Sequence, residues 1–165
     1  MTTKADFSRE EWKILLQAPV AAGKYIMLAD RNFVFGAMKE IFSVTAAIVQ
    51  RERQDNHELL AALLAEFKNS KTSGLAKIDF DGRDIDAEQE KLLGILKQAV
   101  DILEHKASAE ESAEIRQWLY DLALTAANAA KEGGFLGIGG TRISEDERAA
   151  LRKIAWLLGL EKQSR

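Results

Sequence analysis

A chain of 165 residues, 47% hydrophobic and 30% charged, is long enough to bury about 70% of its unfolded surface and is expected to form one domain over residues 1–165. With 23 basic and 26 acidic residues the net charge is −3, so the basic excess that draws proteins to nucleic-acid backbones is missing. The absence of cysteine excludes disulfides, thiolate zinc sites and cysteine nucleophiles.

The predicted elements are helices, because the chain has one proline, few β-branched clusters and abundant Ala, Leu, Glu and Lys. The N-terminal "MTTKADFSREEW" is too charged for a signal peptide. In "FSREEW", Ser8 and Glu11 have capping-box spacing, and Phe7 and Trp12 have the spacing of a hydrophobic staple. A first helix is expected from about Arg9 to Gln17. Pro19 is expected to open a second, since a missing N–H costs nothing in a first turn, and that helix should stop near Asp30. A third is expected from about Ala37 to Arg53, carrying Met38, Ile41, Phe42, Thr45, Ile48 and Val49 on one side.

Asp55 and Glu58 suggest the next cap, ahead of "LLAALLAEF". "NSKTSG" reads as a linker, and "IDFDGRDID" as a polar loop with one extended segment at Ile78 to Phe80. Asp86 and Gln89 are expected to cap a helix reaching Lys106. Ser108 and Glu111 cap another, with Ile115, Trp118, Leu119, Leu122, Ala126 and Ala129 as its apolar stripe and Gly133 and Gly134 as its stop. Ser144 and Glu147 cap the last, with Leu151, Ile154, Ala155 and Leu158 inward and Gly159 after its end. The expectation is an all-α bundle of about seven helices with two long central ones and no fixed-period repeat.

Its longest apolar stretch, "IFSVTAAIV", falls short of the ~18 residues of a membrane span, so a cytoplasmic protein is expected. "EGGFLGIGGTRISEDE" lacks both the Lys-Ser/Thr of a phosphate loop and the spacing of a dinucleotide fingerprint, and its acids repel phosphate. Phe135, Leu136 and Ile138 within it can seal the bundle or protrude as a partner surface. On a calcium-loop template Asp79, Asp81 and Glu88 fall on ligand positions, but Lys77 takes the first. "HELLA" at His57 lacks the second histidine of a zinc-protease motif, and His105 stands alone near a helix end. Neither a catalytic constellation nor a cofactor motif is seen, so a non-enzymatic role is expected, with at most a weak divalent cation.

The stretches "IMLADRNFVFGAMKE" and "NAAKEGGFLGIGGTRISEDE" share a design: a helix end with Ala, an acid, a short loop, then a helix with Glu near its start. This design resembles the tellurite-resistance TerB-like family of small all-helical bacterial proteins, most closely from Glu114 to Leu160. The resemblance implies a stress- or resistance-associated interaction protein with protein partners or self-assembly. Alternatively it implies divalent-cation binding at acidic corners, which by position would be Asp30 and Glu40, and Glu132 and Glu147. The family's corner is Asp-Gly. Here Arg31 follows Asp30, opposing a cation by charge, and Glu132 stands where Asp is usual.

Overall fold

The computed structural model describes residues 1–29, 58–69, 73–132 and 143–160. Among them are five α-helices: α1 (Arg9–Ala29), α2 (Glu58–Lys68), α3 (Ile85–Lys106), α4 (Ala109–Glu132) and α5 (Glu145–Leu157). Short 3-10 turns occupy Lys4–Asp6 and Ser73–Ala76, and the described residues contain no strand, so Ile78 to Phe80 form no sheet. The fold is all-α.

Among the described residues five helices stand where about seven were expected over the whole chain. The helix expected over 37–53 and the cap expected at Asp55 lie outside the described residues. The other difference is a correction at Pro19, which sits inside a single 21-residue helix instead of opening a second one. Proline inside a helix removes one backbone hydrogen bond and crowds the carbonyl four residues earlier. Continuity is favoured by what flanks it. Leu15, Leu16 and Ala18 before the proline, and Ala21, Ala22, Tyr25 and Ile26 after it, are all at most 5% exposed. A break there would turn part of this set away from the core.

α1 is the axis of the bundle. From Glu11 to Ala29 every residue is buried or only partly exposed, as expected of a helix with neighbours around most of its circumference. It packs most extensively on α3, next on α4, and also on α5, α2 and the second 3-10 turn. Its small residues Ala18, Ala21, Ala22 and Gly23 are buried and let neighbouring helices approach. Its start is as expected. Ser8 N donates to Glu11 Oε2 at 2.7 Å, Glu11 N donates to Ser8 Oγ at 3.2 Å, and the Phe7 and Trp12 rings lie 5.8 Å apart. Lys106, at the end of α3, donates to the same Glu11 Oε2 at 2.7 Å, and this hydrogen bond is the main reason the Glu11 carboxyl is held below its usual range.

α3 starts two residues earlier than expected. Asp84, not Asp86, is its N-cap, accepting from Ala87 N at 3.0 Å. Gly82 precedes it at φ +72°, a conformation that L side chains rarely adopt. α4 begins with the expected Ser108–Glu111 box. Its stripe of Ile115, Trp118, Leu119, Leu122 and Ala126 is buried, and Phe67 of α2 meets Trp118 edge-on at 6.2 Å. α5 begins with the expected Ser144–Glu147 box. It ends in a Schellman turn, with Gly159 at φ +71°, Gly159 N donating to Trp156 O and Leu160 N to Ala155 O.

Candidate interaction surface

Among the described residues, the carboxylates marked by the sequence are engaged in local structure. Glu147 is 3% exposed, and its Oε2 accepts from Ser144 N at 2.8 Å. Its Oε1 is buried with no hydrogen-bond partner among the described residues. Glu88 is 8% exposed, accepting from Asp81 N at 3.3 Å and lying 3.8 Å from Lys91 Nζ. Asp79 faces solvent, 3.5 Å from Lys77 Nζ, and Asp81 Oδ1 accepts from Arg83 Nε at 2.6 Å. Asp30, Glu40, Phe135, Leu136 and Ile138 lie outside the described residues, as does the side chain of Glu132.

The loop of residues 77–79 is held by three donors on two helices. Gln17 donates to the Lys77 carbonyl at 2.9 Å, Lys24 to that of Ile78 at 2.9 Å, and Lys91 to that of Asp79 at 2.6 Å. Burial, and next the neighbouring Lys91 charge, push the Lys24 ammonium below its usual pKa. These successive carbonyls face cationic or amide donors, an arrangement opposite to the oxygen cage of a hard cation. Among the described residues no group of three or more His, Asp or Glu is placed to hold a metal ion.

Titratable groups also pin the N-terminus. Glu111, 2% exposed, accepts from Thr2 N at 3.0 Å through Oε1, and from Thr2 Oγ1 at 2.6 Å and Ser108 N at 3.0 Å through Oε2. Burial alone would raise its pKa. The hydrogen bonds from Thr2 and Ser108 outweigh that and hold it at about 2. The group is a structural anchor.

Among the described residues, one surface not consumed in this way is the outside of α5. Its inner stripe, Glu147, Ala150, Leu151, Ile154 and Leu158, is buried. The opposite side exposes Arg148, Arg152, Lys153 and Trp156. Trp156 is 56% exposed and Leu160, just beyond the helix, 38%. Arg152 and Lys153 stand four and three positions before Trp156, so all three share one helical face. No ion pair is made by Arg148, Arg152 or Lys153 among the described residues.

Beside this face a cleft of about 370 Å³ lies between the end of α3, the start of α4 and the end of α5. Arg116 spans it, donating from Nε to Ser112 Oγ at 3.1 Å, from Nη2 to Glu104 Oε1 at 3.0 Å and from Nη1 to the Leu158 carbonyl at 3.5 Å. A cation at the last carbonyls of α5 complements the helix dipole. It also joins three helices at one end of the bundle.

Comparison with protein-family models, with curated proteins and with solved structures returns no match for this chain.

Sequence reasoning passed over the α5 face, although its signal is present. Trp156 falls off the inward stripe of Leu151, Ile154 and Leu158, so helical spacing alone puts a large aromatic on the solvent side between cations. Arg116 carried no such signal, because its three acceptors come from three separate elements.

Proposed function

We propose that this protein is a non-enzymatic interaction module of TerB-like helical design, serving a stress or resistance response, and that the outer face of α5 receives its partner. One observation carries the reading: Trp156 is 56% exposed beside Arg152 and Lys153. A large aromatic in water is disfavoured unless something covers it, and Trp and Arg are the residues most enriched at binding hot spots. The partner's complementary surface is then acidic with an apolar centre. Support from the chemistry is of the same kind, since Glu11, Glu111 and Glu147 serve helix starts and Glu88 braces a loop.

Affinity capture from cells that express the protein, with wild type and Trp156→Ala compared, tests this reading. The expected outcome is a bound protein retained by the wild type and lost from the variant, while thermal unfolding changes by no more than about 0.5 kcal/mol, as for an exposed residue. Equal retention by both proteins would remove α5 as the binding face.

A second reading, divalent-cation binding, is favoured by Glu147 Oε1, buried and unpartnered among the described residues. It predicts heat on titrating chelator-treated protein with calcium, magnesium, manganese or zinc, and loss of that heat in Glu147→Gln. The absence of heat with all four ions would end it.

A further inference from the structure

The large hydrophobic side chains exposed among the described residues are Met1, Phe80, Ile85, Trp156 and Leu160. Apart from Met1 and Phe80 they fall into two groups whose neighbouring charges are opposite. Trp156 and Leu160 belong to the basic face of α5. Ile85, 42% exposed, opens α3, and Asp86 and Glu90 in the first two turns of the same helix are both exposed and neither is in an ion pair among the described residues. Asp86 and Glu90 are four apart and share a helical face.

The two patches lie toward opposite ends of α3. α3 is 22 residues long, about 33 Å at 1.5 Å per residue. Ile85 is at its start, whereas Leu103 and Glu104 near its end line the cleft together with Leu158 and Leu160. One chain therefore cannot cover its own basic end with its own acidic end, but a second copy can.

We propose that the acidic patch of Ile85, Asp86 and Glu90 on one copy docks on the basic face of Trp156, Arg152 and Lys153 of the next, so that the chain assembles head to tail. This rests on the reading of α5 as a partner surface and names that partner as a second copy. Each contact joins two different patches, so it is heterologous and leaves one free patch at each end of the assembly. Growth therefore continues past the dimer. Opposite charges at the rims steer the encounter and make it sensitive to salt.

Sedimentation velocity of the full chain across a concentration series, at low and high salt, tests the proposal. The expected result is an average mass that rises with concentration beyond twice the monomer and falls when salt is raised. Two variants then separate the patches: Ile85→Ser with Glu90→Gln, and Trp156→Ser with Lys153→Gln. All four positions are exposed, and circular dichroism melting establishes that each variant is folded. Each alone should be monomeric. Mixed in equal amounts they should give a complex of twice the monomer mass that grows no further, because each retains one working patch. Self-pairing by either variant alone would overturn the head-to-tail arrangement. A monomeric wild type at all concentrations would overturn the proposal altogether. If that monomer still captured another protein through Trp156, the α5 surface would stand with a different partner; without capture, both readings would fall.

Discussion

Thr2 and Glu111, 109 positions apart, meet in a hydrogen bond of 2.6 Å from the Thr2 hydroxyl to the carboxylate of the α4 capping box. The Glu111 carboxyl is held at about 2 against an ordinary 4.5, so the folded state prefers it ionised. Its contribution is complete above pH 4.5 and is lost as pH falls from 4.5 toward 2, on the order of 3 kcal/mol. Denaturant unfolding in that window should therefore show steeply falling stability. Glu111→Gln should flatten the slope there while lowering stability at neutral pH. An unchanged slope in the variant would assign the acid sensitivity elsewhere.

Pro19→Ala is expected to stabilise the protein. An interior proline costs a helix about 3 kcal/mol relative to alanine. Removing the two ring methylenes that alanine lacks, from a buried site, forfeits about 1.6 kcal/mol at 0.8 kcal/mol each. The difference favours alanine by about 1 kcal/mol in urea unfolding. A destabilised variant would mean that the ring's packing outweighs the missing hydrogen bond.

Trp118 is 2% exposed and meets Phe67 edge-on, so Trp118→Ala should cost about 3–5 kcal/mol through the cavity it leaves. Its Nε1 is buried without a hydrogen-bond partner among the described residues, so no polar contact there is lost with the ring. Trp118→Phe should accordingly cost much less than the alanine variant in the same urea titration.

Gly159→Ala should destabilise by about 1–2 kcal/mol, because φ is +71° there and a left-handed residue with a Cβ is strained. The added Cβ would also come within 3.2 Å of Arg116 Nη1, loosening the tie between α4 and the end of α5. Ser144→Ala, at the other end of the same helix, should cost about 0.5–2 kcal/mol by removing the cap. Thermal unfolding of the two variants reads both ends of α5; a melting temperature unchanged by either would deny that end its role.

The sequence by itself determined three of the helix starts and the inward faces of α4 and α5. The three Ser-x-x-Glu boxes at Ser8, Ser108 and Ser144 all form, and Ile115 to Ala126 of the α4 stripe and the stripe of α5 are buried as spaced, because capping and helical periodicity act within one or two turns. Gly159 was legible for the same reason. Pro19 was misread because local propensity favours a helix start, while the decision to continue was made by burial of α1 around most of its circumference, which no window of sequence contains. Tertiary structure also decided what the charges do. It set Lys24 and Lys91 on the carbonyls of the acidic loop, Thr2 on Glu111, and Arg116 across three helices, each a pairing of residues distant in sequence. Only after those pairings have been made does α5 remain with Trp156, Arg152 and Lys153 facing solvent, since a surface is defined by what the rest of the chain leaves uncovered.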